Sequence, residues 1–285
     1  MKRLKIYQPS LLSISLLVAM GAVWPHRGGA TDLVVANNAD SGNGTLRQAI
    51  QFNESLGGGN TIVFSNTVTG TIILTNALGE LLISKDVTLI GPGAKVLAIS
   101  GNNAHRVFHL TNNANVNILG LTITEGWRSA TGNGAGILQD SGSLALNECA
   151  ISDNFVGYGS GAGIYASGAV LATRCIFSGN NAYHAGGGIA VAGTFRAVNC
   201  TVFGNKTANG HGGGIAVSGN LFVTNCTISG NFASAGASGG GVYNSSGSAT
   251  IRSTIIAGNI ASQGLDCYGM FTSAGFNLIG YINDS

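Results

Sequence analysis

The stretch that decides the fold runs from Gly186 to Asn231: GGGIAVAGTFRAVNCTVFGNKTANGHGGGIAVSGNLFVTNCTISGN. It says nearly the same thing twice. GGGI ends at Ile189 and again at Ile215, and the runs NCTVFGN and NCTISGN end at Asn205 and Asn231, both at an interval of 26. Outward from there, the first motif recurs as GAGI ending at Ile137 and Ile164, and as GGGV ending at Val242. The second recurs as NECAISDN, TRCIFSGN and RSTIIAGN, ending at Asn154, Asn180 and Asn259. Five positions before these asparagines stand Cys149, Cys175, Cys200, Cys226 and, in the last copy, Thr254. Two ladders that share one period mark a repeat architecture.

Patterning inside the repeat selects the architecture. Apolar residues alternate, as at Leu221 and Val223, then shift phase to Cys226 and Ile228. Alternation is the period of a strand, and the shift marks a corner. No repeat holds ten residues of helical periodicity, so helical and leucine-rich solenoids are excluded. About three short strands per repeat, broken by Gly, Asn and Ser bends, describe one coil of a parallel β-helix. Equivalent residues of successive coils then stack about 4.8 Å apart. Ile, Leu, Val and Cys face the bore, and Gly is expected where the backbone turns tightly or needs positive φ.

Stacking accounts for the composition: 46 Gly among 285 residues, 28 Asn, and only 8% charged side chains. A buried Asn at a bend can bond to the backbone and to the same Asn in the next coil, whereas like charges at that spacing repel. With 45% hydrophobic residues the chain is not disordered, and three Pro exclude collagen. Glu148 and Arg174 precede the ladder cysteines of adjacent coils and are expected to pair on the outer face.

The ends read differently. Lys2, Arg3 and Lys5, an apolar Leu11–Trp24 and Gly28-Gly29-Ala30 have the form of a secretory signal over residues 1–30. Its removal takes away four cations and moves the formal charge from +2 to −2, which speaks against a nucleic-acid partner. No later apolar run is long enough to span a membrane. Residues 31–59 read as an N-terminal cap of strand plus helix. Thr45-Leu46-Arg47-Gln48 is a capping box, and a helix over Leu46–Leu56 covers the open end of the first coil. Residues 60–285 read as about eight to nine coils, with no closing C-terminal cap expected.

Three segments resemble known families. ADSGNGTLRQAI (39–50) followed by GGGNTIVF (57–64) resembles the N-terminal cap of bacterial secreted right-handed β-helix proteins with a CSLREA-type start. The Cys of that motif is missing here, and its Arg and Ala stand as Arg47 and Ala49. GGGI and FSGN are similar to the GGAI and FxxN repeats of chlamydial-type polymorphic outer-membrane proteins. LDCYGMFTSAGFNLIG (265–280) is similar to the segment that opens the C-terminal anchor-type region of many such proteins. The resemblance implies an exported or cell-surface β-helix and is specific for fold more than for activity.

Glycoside hydrolysis requires two carboxylates facing one sugar. The 112 residues from Asn154 to Leu265 contain no Asp or Glu, so the regular coils offer neither that pair nor an acidic Ca²⁺ site. The alternative is a polysaccharide lyase or glycoside hydrolase acting on pectin-like polymers, with an Arg or Lys base in the lyase. Arg174, Arg196, Lys206 and Arg252 fall on four different rungs, so no cluster is implied, and without neighbouring carboxylates for Ca²⁺ a pectate-lyase-like site would need the irregular N-terminal coils. His184 and His211, 27 apart, are expected as a stacked loop pair without a third metal ligand. With Phe155, Tyr158, Tyr183 and Phe232 they form a candidate glycan- or partner-binding loop strip. The four ladder cysteines are expected as buried free thiols, and Cys267 as unpaired. No cofactor is implied, and the reading is a secreted or cell-surface scaffold, adhesin-like or glycan-binding, without catalysis.

Overall fold

The computed structural model describes residues 32–75 and 77–281, so the signal reading of residues 1–30 lies outside them. The chain enters as a strand, Asp32–Val35, followed by helix α1, Leu46–Ser55. Thr45 is extended (φ −91°, ψ 160°), and its hydroxyl accepts from the Gln48 N–H at 3.2 Å. The reciprocal half of the capping box closes one residue early, because the Gln48 side chain accepts from Gly44 N at 2.7 Å. Leu46, Ala49 and Ile50 form the buried face that closes the bore. The cap is fastened to the first coil by charge. Arg47 donates to Asp40 at 2.7 Å and to the Gly79 carbonyl at 2.8 Å, while Glu54 accepts from Ser84 N at 2.7 Å.

Beyond the cap the chain winds into about nine coils of parallel strands. One coil shows the plan: Ser143–Asn147, Ala150–Ser152, Phe155–Tyr158 and Ile164–Ala166 contribute in turn to the first, second, third and fourth sheets. Among the described residues these sheets hold ten, nine, five and eight strands. Registers join equivalent residues of successive coils, such as Leu144 to Val170, Ile151 to Phe177 and Ile164 to Ile189. The expectation of about three strands per repeat is corrected here, since the central coils have four. The third sheet starts at Trp127–Thr131 and ends at Phe232–Ala233. Strands as short as Asn181–Ala182 carry no alternation to read.

Glycine does not make every corner. Between the first and second sheets the left-handed residue is Glu148, Arg174, Asn199, Asn225 or Ser253, with φ from 48° to 56°. A non-glycine residue in that region costs about 1–2 kcal/mol, least for Asn. Glycine is needed elsewhere, against the asparagine ladder. A Cβ on Gly188 would stand 2.8 Å from the Gly214 carbonyl and 3.0 Å from Asn205 Cγ. The third residue of each GxGI motif therefore has to be small because the ladder lies beside it.

That ladder is continuous. Asn154, Asn180, Asn205 and Asn231 each donate their side-chain amide to the Oδ1 of the next asparagine at 2.9 Å. Each also donates its backbone N–H to the same oxygen, at 3.0–3.2 Å. All are buried, so these bonds form where no water competes. Inside, Cys149, Cys175, Cys200, Cys226 and Cys267 are free, buried thiols. The Thr254 hydroxyl takes the next cysteine position and accepts from Cys226 N at 3.2 Å.

Candidate functional site

The candidate strip lies on strands and their ends more than on loops. Phe155 opens the third-sheet strand Phe155–Tyr158 and stacks on Trp127 of the preceding coil, centroids 4.3 Å apart. Tyr158 ends that strand, is 54% exposed, and stacks on Tyr183 at 4.5 Å. His184 meets both tyrosines edge-on, at 5.9 and 4.9 Å. The hydrogen bond with Tyr183 raises the Tyr158 phenol above its ordinary range. Tyr158, Tyr183 and His184 thus form one cluster, and Trp127 and Phe155 form a separate stacked pair at the start of the same sheet.

The other two strip residues lie apart. Phe232 shares a column with Phe155, but Asn181 and Lys206 stand between them. His211 stacks on Tyr243 at 4.4 Å, Tyr243 on Tyr268 at 5.5 Å, and His211 Nδ1 accepts from Ser238 N at 3.0 Å. The expected stacking of His184 on His211 is corrected. The local coil is 26 residues long, since the Gly212 turn repeats the Gly186 turn, so a spacing of 27 puts His211 one position out of step. Tyr243 and Tyr268 were missed by the sequence reading. Their signal was available, because each follows the inward residue that opens a fourth-sheet strand and so must face out.

Stacking along the solenoid axis has a chemical consequence. Each ring in a stack gives one face to its neighbour. Edges, hydroxyls and the outermost faces are what these ledges offer a ligand.

Several charged groups form closed contacts. Glu80, His109 and Asp140 lie on three successive coils, and the imidazole bridges them. Nδ1 is 2.9 Å from Glu80 and Nε2 is 2.8 Å from Asp140. The ring fills the space a sugar or water would need between the two carboxylates. Arg106 lies behind, with its side chain 5% exposed, donating to Glu80 at 2.7 Å and to the Gly134 and Asn133 carbonyls. Burial lowers its pKa from the usual guanidinium range, but its donors are turned into the protein. Glu125 and Asp153 occupy equivalent corner positions of adjacent coils, a juxtaposition the sequence reading did not draw. They diverge, Glu125 accepting from the Ser100 hydroxyl and Asp153 lying against Gly179 of the following coil. Glu148 and Arg174 pair at 2.9 Å on the outer face.

The cations of the regular coils are spread as the rungs implied. Arg174 is at a corner, Arg196 and Arg252 are on the first sheet, and Lys206 is on the third. Among the described residues no group of three or more His, Cys, Asp or Glu could hold a metal ion.

Comparison with known families agrees with this architecture. A family model described as right handed beta helix region matches residues 96–222. The fold is a right-handed parallel β-helix. The match covers the last irregular coils and most of the regular ones, including Tyr158, Tyr183 and three of the ladder cysteines. No curated protein and no solved structure matches the chain.

Proposed function

We propose that this right-handed β-helix is an exported scaffold that binds glycan chains, in the manner of an adhesin, and performs no chemistry on them. The observation that carries the reading is the pair of ring stacks along the third sheet, Trp127 on Phe155 and Tyr158 on Tyr183 beside His184, of which Tyr158 and His184 are exposed. Amphipathic rings held by a rigid backbone lose little entropy on binding and offer both apolar edges and hydroxyls. Two features support the absence of catalysis. Glu80 and Asp140 are both engaged by His109, and Glu125 and Asp153 point to different partners. The coils after Asp153 carry no carboxylate until Asp266. The signal-like residues 1–30 support export.

A glycan array probed with the chain and with a Tyr158→Ala/Tyr183→Ala variant tests this. The reading expects glycan binding that falls by about tenfold in the variant, whose exposed Tyr158 is not needed for the core. A chain that binds no glycan, or a variant that binds as well as the parent, would contradict it.

A further inference from the structure

Charge is unevenly distributed along the solenoid axis. Residues 32–153 hold nine carboxylates against five Lys and Arg, whereas residues 154–265 hold four Lys and Arg and no carboxylate. Two of those four cations, Arg196 and Arg252, stand on one sheet, and Arg174 lies at its margin. Arg196 stands at the centre of the outer face of the first sheet, in register with Phe222 of the next coil, and its guanidinium lies 4.5 Å from that ring's centroid. Arg252 ends a strand of the same sheet two coils further on, in register with Thr224. Strand geometry puts its Cα roughly 12 Å from that of Arg196. Arg174 stands just past the strand Ala169–Thr173, at the margin of this face. Its partner Glu148 is already paired with it.

We infer that this face binds an anionic polysaccharide, whose repeating carboxylates or sulfates meet Arg196 and Arg252. Three properties of the face fit such a polymer. The Phe222 ring holds the Arg196 guanidinium over the sheet, so less side-chain freedom is lost on binding. Thr224 and Thr250 beside it are partly exposed hydroxyls that suit sugar. The parallel strands repeat every coil, so a polymer lying along the axis meets like positions at regular steps. A carboxylate-free half also presents the polymer with no repulsive charge beyond the margin. The inference rests on the glycan-binding reading but uses a different face from the ring cluster, so the two can fail separately.

The test is affinity electrophoresis of the full chain through gels containing polygalacturonate, dextran sulfate or neutral dextran. The inference expects retardation by polygalacturonate or dextran sulfate and not by dextran, weakening about tenfold between about 50 and 300 mM salt. Which of the two retards the chain more tells carboxylate from sulfate. Arg196→Gln/Arg252→Gln should weaken that retardation about tenfold and leave the thermal midpoint unchanged, because both side chains are exposed. The Tyr158→Ala/Tyr183→Ala variant should be retarded like the parent. Three results would overturn the inference: no retardation by either anionic polymer, retardation indifferent to the arginine substitutions, or equally tight binding of a DNA fragment. Loss of anionic binding in the tyrosine variant alone would place the polymer on the ring cluster instead.

Discussion

Asn259 donates both its backbone N–H, at 2.9 Å, and its side-chain amide, at 2.8 Å, to one carboxylate oxygen of the buried Asp266. The asparagine ladder has a direction: every member accepts from the coil before and donates to the coil after. The last asparagine needs an acceptor that asks for no further partner along the ladder. A carboxylate supplies one, and its second oxygen accepts from Tyr281 N at 2.8 Å. One side chain therefore ends the ladder and fastens the last described coil.

The direction predicts opposite tolerances at the two sites. Asn205→Asp keeps an acceptor for Asn180 but loses the donations to Asn231 and to the Phe177 carbonyl, and it adds a buried charge. Asp266→Asn keeps the oxygen that Asn259 uses. Chemical denaturation should show Asn205→Asp losing more than about 2 kcal/mol and Asp266→Asn losing less, while Asp266→Ala, which strands two buried donors, costs about 2–4 kcal/mol. Equal losses for Asn205→Asp and Asp266→Asn would remove the case for a directional ladder.

Two glycines separate packing from backbone strain. Gly188→Ala drives a methyl against the Gly214 carbonyl and the ladder, and it should cost several kcal/mol or abolish folding. Gly204 has φ 64° but nothing within 4 Å of where a methyl would stand, so Gly204→Ala should cost only the left-handed backbone, about 1 kcal/mol. Thermal midpoints of the two variants give the comparison.

Burial, and then the charge of Asp266, push the Cys267 thiol above its ordinary range. The unfolded thiol ionises above about pH 8.5, so beyond that point the unfolded state has lost a proton that the folded state retains. The stabilising contribution is complete below about pH 8.5 and declines as pH rises towards the higher folded value. Cys267→Ala should flatten the alkaline limb of the stability profile by up to about 1.4 kcal/mol per pH unit. An unchanged slope would mean that the thiol ionises freely in the folded chain.

Arg106 and Arg174 make salt bridges of similar length in different surroundings. Arg174→Met, at a pair whose side chains are 51% and 62% exposed, should change stability by no more than about 1 kcal/mol. Arg106→Met removes a 5%-exposed guanidinium from Glu80 and two carbonyls, and it should cost about 3 kcal/mol. Hydrogen exchange should localise the second effect to the coils around Glu80 and Gly134.

What could be read in the sequence follows from what a solenoid repeats. The Asn and Cys positions recur together, five residues apart, in coil after coil, so their stacking was evident from spacing, and so was the Glu148–Arg174 pair one step away. The Thr45 cap was legible because capping is local. Features that cross coils of unequal length were not. Asn154 and Asn180 are 26 apart, Asn180 and Asn205 are 25 apart, and Asn231 and Asn259 are 28 apart, so a spacing of 27 between His184 and His211 passed for one coil where the coil is 26 residues long. The Glu80–His109–Asp140 bridge joins irregular coils in which no motif fixes the register. Asp266 takes over from Asn259 only seven residues later, where the repeat has already broken.

The claim at the centre is that this β-helix binds glycan without cleaving it. Incubating the full chain with a panel of acidic and neutral polysaccharides, while following binding together with reducing ends and unsaturated-product absorbance, tests it most directly. The account predicts saturable binding to at least one polymer with both product signals flat. Release of reducing ends or unsaturated products by the chain alone would contradict it.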